Sequence, residues 1–182
     1  MQQEEEEEQK IIDKNGFKII KSGVNKFNLT FDIINNNILL PKIINFDLIE
    51  LLNKLNPNIF ESMHLDCRSD TNAIMDLLIK DLFSDLGIPH YYLALKINIE
   101  SENDELNTNK IIFKCLTFDN KLHSYPVDAE LIPIHSINMT FDIINNHNLQ
   151  INCDIYLSKQ HNIPSFFEKI IGNIFYNLFN KL

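Results

Sequence analysis

Nine residues occur twice in this chain, and both copies have the pattern of a half-buried strand. Asn28-Leu29-Thr30-Phe31-Asp32-Ile33-Ile34-Asn35-Asn36 returns as Asn138-Met139-Thr140-Phe141-Asp142-Ile143-Ile144-Asn145-Asn146, with eight of nine positions identical. The one difference, Leu29 against Met139, keeps volume and apolarity. In each copy apolar and polar residues alternate before an Asn cluster, as in a strand that runs into a turn. A chain that repeats such a segment is committed to a sheet with one buried face.

The 182 residues suit a single domain with a substantial core. A hydrophobic share of 45% with 23% charge places it among globular chains. Asn and Ile are abundant, Arg68 is the only arginine and Trp is absent. This composition resembles that of proteins from AT-rich genomes, such as those of amoebae, protozoan parasites or large DNA viruses. Of the net charge of −9, Glu4 to Glu8 supply five negatives. No basic stripe is left to neutralise phosphates, which argues against nucleic acid as a partner. The same acidity is unsuited to an anionic membrane surface. Cys67, Cys115 and Cys153 are odd in number and widely spaced, and the acidic N-terminus has no signal-like apolar segment. Reduced thiols in a cytoplasmic setting are expected, or in a virion for a viral source, with the Asn-x-Thr sequons at Asn28 and Asn138 unglycosylated. No apolar run reaches the roughly 18 residues of a transmembrane segment.

Read along its length, the chain starts with an acidic tail over residues 1–12, expected to be disordered, followed by one domain over 13–182. Strands are expected at Phe17–Ser22 and Asn25–Ile34, with Ile38–Leu40 continuing the sheet as far as Pro41. A helix is expected over Phe46–Leu55, then a short strand over Met63–Cys67. A second helix is expected over Thr71–Leu86, with Ser69 or Asp70 as its N-cap, Gly87 as its stop, and Asp76, Lys80, Asp81 and Asp85 on its wet face. After Pro89 the period returns to two, with strands over 91–99 and 111–118. A Pro133-broken edge segment precedes a hairpin that carries the second copy out through 137–143 and back through 149–157. The last helix opens at Pro164. Its apolar residues recur in pairs four apart, so the stripe drifts by about 40° per step and forms a wide face. Glu168, Gly172, Asn173 and Asn177 fall on the opposite, polar face.

The pattern is a two-layer α+β fold: a mostly antiparallel sheet with helices on one face and the C-terminal amphipathic helix packed on it. This order of elements resembles the helix-grip arrangement of lipid-transfer domains, in which a curved sheet wraps a long C-terminal helix around a cavity.

Few residues suggest chemistry. The four glycines are isolated, and no CxxC, HExxH or Gly-x-Ser-x-Gly pattern occurs. Cys67 beside Arg68, at the expected start of a helix, is the one candidate nucleophile, because a helix N-terminus and a cation both lower a thiol pKa. Its base would have to be His90 or His123, since His64 points to the other strand face. His147, Cys153 and His161 are too far apart for a compact metal site. Asp32 and Asp142 match in the repeat but sit on polar strand faces. No cofactor or metal is implied. By elimination, the first reading is a non-enzymatic structural or interaction domain with a protein partner. The alternatives are an apolar-ligand or lipid-binding domain, with Phe166, Phe167, Phe175 and Phe179 against the ligand, and a cysteine-dependent enzyme using Cys67.

Overall fold

A computed structural model describes residues 8–81, 89–103, 109–118, 125, 126, 128–158 and 165–182, with only the backbone at 103, 165–167, 170 and 171. The elements in chain order are β1 (Glu8–Lys14), β2 (Phe17–Ser22), β3 (Lys26–Ile34), α1 (Phe46–Leu55), β4 (Phe60–Cys67), β5 (Asn72–Ile79), β6 (Tyr91–Asn103), β7 (Asn109–Thr117), β8 (Glu130–Leu131), β9 (Ile134–Asn145), β10 (Asn148–Leu157) and α2 (Ser165–Phe179). One sheet runs β1-β2-β3-β10-β9-β7-β6-β5-β4, antiparallel throughout, and the short β8 lies parallel to the start of β6. An Asn15-Gly16 turn with both residues at positive φ joins β1 to β2, the primed geometry that matches strand twist.

The two copies of the repeat flank the same strand. β10 pairs antiparallel with β3 on one side and β9 on the other, and its register to both is the same. Ile151 faces Phe31 and Phe141, Cys153 faces Leu29 and Met139, and Gln150 faces Asp32 and Asp142. Cross-strand rows therefore alternate in type. Leu29, Phe31, Phe141, Ile151 and Cys153 are buried on the concave face. On the convex face, Asn28 donates to Asp154 at 3.0 Å and Thr30 to Asn152 at 3.2 Å. Such rows fix register, because a slip of one residue would exchange the two faces.

The expected helix over Thr71–Leu86 is corrected: residues 72–79 are β5, paired with both β4 and β6. Residues 73–78 are all buried, since Ala73, Met75 and Leu77 face the concave side while Ile74, Asp76 and Leu78 are covered on the convex side. A strand buried on both faces loses its alternation and reads like a buried helix. Asp76, expected to be wet, is 4% exposed and accepts a hydrogen bond from the Tyr125 hydroxyl at 2.9 Å. That bond and burial raise the Tyr125 pKa, burial being the larger cause. The supposed N-cap is a hairpin turn, in which Ser69 accepts from the backbone N–H of Asn72 at 3.0 Å. Residues 82–88, including Gly87, lie outside the described residues.

Two boundaries also differ. The tail enters the sheet at Glu8 rather than ending at residue 12, because Ile11 and Ile12 pack against the core. Ile38–Leu40 does not prolong the sheet; Leu40–Lys42 is a 3-10 turn. It is held by Leu40 N–H to Asn146 O at 2.9 Å, and His147 Nδ1 lies 2.9 Å from Ile38 O and 3.1 Å from Asn35 O.

α2 lies on the concave side against β1–β3. Tyr176 meets Phe17 edge-on at 5.5 Å, and Phe179 meets Phe31 at 4.8 Å. Gly172 permits this approach: a Cβ there would come within 2.7 Å of Ile12 Cδ1. The C-terminal ends of both helices are tied by Asn56, which is fully buried and donates to Leu52 O at 2.9 Å and Leu178 O at 3.1 Å.

Phe141→Ala should destabilise the fold by about 3–5 kcal/mol in urea unfolding, because its ring is fully buried beside Phe113. Asp32→Ala, on the exposed face of the other copy, should stay within about 0.5 kcal/mol.

Candidate ligand-binding site

The sheet is wider than the helix it holds. α2 lies against β1 and α1 against β4, and a space separates the two helices from the strands between. A cavity of about 400 Å³ lies there, lined almost wholly by apolar side chains. Its floor is made by Met75 and Leu77 of β5 with Leu93, Leu95 and Ile97 of β6, which face one another across the strand pair. Its roof is Leu48 and Leu52 of α1 with Phe175 and Leu178 of α2. Alternation places the floor residues inward, and the helical stripe places the roof residues opposite.

Two charged residues, Lys80 and Glu168, line the cavity, and Glu168 is paired. Phe17, Ile19 and Lys21 share the inward face of β2, so Lys21 points under α2 rather than to water. There its ammonium donates to Oε1 of Glu168, whose side chain is 1% exposed. Lys21 also lies 5.8 Å from the ring centre of its cross-strand neighbour Phe27. Glu168 occupies the first turn of α2, where the helix dipole favours an anion. Its other oxygen, Oε2, is buried with no hydrogen-bond partner among the described residues, and Glu168 lines the cavity.

Glu168 and Gly172 are therefore corrections to the expected polar face of α2, since both turn inward. The legible signal was Lys21, a cation in phase with Phe17 and Ile19 and in need of a buried counter-charge. Of the four expected ligand-contacting aromatics, Phe175 and Phe179 line the cavity. The side chains of Phe166 and Phe167 lie outside the described residues.

Cys67 does not sit at a helix N-terminus, because β5 replaces that helix. It is exposed at the end of β4, and its thiol pKa is raised by desolvation, then by Glu50, Asp66 and Asp47. Arg68 turns to Asp66 at 3.5 Å. His90 lies 3.3 Å from Glu61, six strand residues and roughly 20 Å from Cys67. His123 and His161 are outside the described residues. His147 holds the turn described above, and among the described residues no cluster of His, Cys, Asp or Glu is placed to hold a metal ion. Asp32 and Asp142 face opposite sides of Gln150, two strand spacings or roughly 10 Å apart. No helix among the described residues is long and apolar enough to cross a membrane.

No protein-family model matches the chain, and no curated protein matches it in sequence. Solved structures do match in shape. Human STARD10 superposes with a TM-score of 0.70 at 5% identity, over 96% of this chain and 72% of that one. The human StAR-related lipid transfer protein 5 gives 0.69 at 12% identity, over 96% and 85%. A STAR-related lipid transfer protein from Xanthomonas axonopodis gives 0.59 at 11% identity, over 96% and 98%. The fold is the helix-grip, START-like one. This corrects the first reading of a structural or protein-interaction domain. That reading rested on the lack of any site, whereas the chain has the architecture of named lipid-transfer domains and an apolar cavity between sheet and helix.

The thiols give a direct check on this packing. Burial pushes Cys115 up to about 12 and raises Cys153 further. At pH 8 a disulfide reagent should modify one thiol in the native protein, Cys67, more slowly than free cysteine, because a raised pKa leaves less thiolate. All three should react in denaturant.

Proposed function

We propose that the protein binds one lipid-like molecule in the cavity between its sheet and α2. The observation that carries this reading is the 400 Å³ apolar void itself, within the roughly 300–1,000 Å³ range of small-molecule sites. Well-packed cores leave few voids larger than a water molecule. Here the floor strands turn Met75, Leu77, Leu93 and Leu95 toward the void rather than toward a packed helix. An apolar molecule seated there is removed from water on the sheet side and the helix side alike, and gains the free energy of burial without a covalent step. The shared architecture with proteins named for lipid transfer supports the same reading.

The test is native mass spectrometry after incubation with a total lipid extract, followed by extraction and identification of the bound species. A one-to-one complex is expected. Leu93→Trp places an indole in the void and should abolish that complex while leaving the circular dichroism spectrum and cooperative melting in place. A wild-type protein that remains ligand-free, or a Leu93→Trp variant that binds as well as wild type, would overturn the assignment.

A further inference from the structure

The cavity lining carries one charge with no ion-pair partner among the described residues. Glu168 and Lys21 neutralise each other, and the second oxygen of Glu168 is enclosed by protein, so this pair offers nothing to a head group. Lys80 is the other charged residue of the lining, and it is exposed.

A residue that both lines the cavity and meets water stands at its mouth. The pairing of Leu78 with Tyr92 sets the ends of β5 and β6 side by side, so Lys80 follows β5 next to Pro89 and Tyr91, which also line the cavity. Its backbone N–H donates to Ile59 O at 2.8 Å, which fixes the residue against the turn between α1 and β4. From there the inward row of Tyr91, Leu93, Leu95 and Ile97 runs along β6 for roughly 20 Å. We propose that the occupant is a single-chain anionic amphiphile, with its chain along this row and its carboxylate or phosphate against the Lys80 ammonium. This rests on the cavity being a ligand site.

Size, length and charge each narrow the class. A cavity of about 400 Å³ holds one acyl chain and not the two of a membrane phospholipid. The inward row of β6 is comparable in length with an extended hexadecanoyl chain. A cationic head would meet Lys80 with like charge, and a neutral head would gain no ion pair there. The stem of a lysine lies along apolar surface while its ammonium stays in water, so the head is held at the solvent boundary and only the chain is buried. An anion at that boundary keeps much of its hydration, which avoids the cost of burying a charge.

The experiment uses the full chain and diphenylhexatriene, an uncharged hydrocarbon that fluoresces when removed from water. In mildly alkaline, low-salt buffer, displacement by hexadecanoate, hexadecyl phosphate and 1-hexadecanol is compared below their aggregation thresholds. The better anion should displace the probe at about fivefold lower concentration than the alcohol, the worth of one exposed ion pair, and added salt should shrink that advantage. Which anion is preferred distinguishes a fatty acid from a phosphate ester. Lys80→Met keeps the apolar stem and removes the charge, so the ratio should fall to near one, whereas Lys80→Arg should retain it. Equal displacement by anions and alcohol in wild type, or an anion advantage unchanged in Lys80→Met, would refute the anionic assignment while leaving a cavity that binds apolar molecules. Failure of diphenylhexatriene to bind wild type would remove the cavity as a ligand site, and the head-group assignment with it.

Discussion

β10 meets a copy of the repeated segment on each side, in β3 and in β9. The repeated segment is explained by that geometry: each copy presents Asn, Thr and Asp outward and Leu or Met, Phe and Ile inward to the same partner strand. A three-strand block results, with one dry face and one polar face, in a single register. The concave surface that receives α2, the position of Phe31 under Phe179, and the wall beside the cavity all follow from this block. The rest of the sheet extends from it in both directions, toward β1 and toward β4.

The two wings are filled unequally. On the β1–β3 side Gly172 lets α2 come down on Ile12 and Ile19, and Tyr176 and Phe179 complete a packed aromatic seam. Toward β5 and β6 the cavity separates the sheet from α1 and α2. Asn56 holds the two helices at their C-terminal ends, and Lys181 adds a bond to Leu55 O at 2.9 Å. The void is thus framed by fixed contacts at its margins.

Much of this was legible in the sequence wherever periodicity had one buried face. Phe17–Ser22, Phe46–Leu55, the β9–β10 hairpin and the terminal helix have the expected type and place. The misreading at 72–79 has a physical cause. When both faces of a strand are covered, apolar residues become consecutive and helix and strand cannot be distinguished by pattern, while a lone Asp looks solvent-exposed unless its distant partner, Tyr125, is known. The cavity was illegible for a different reason. Leu and Met at inward positions look alike whether they touch a helix or a void, because the distance to the opposing layer is a tertiary quantity. Lys21 was the exception, since strand parity alone turned a charge inward.

An apolar void of this size bears on stability as well as on binding. Apolar side chains that line such a space forgo part of the burial free energy that the packed β1–β3 side gains. Partial collapse would have been the inexpensive solution, yet the floor residues keep their rows and the two helices are pinned apart from them. The packed seam under Tyr176 and Phe179 and the framing by Asn56 hold the walls of the cavity at its margins.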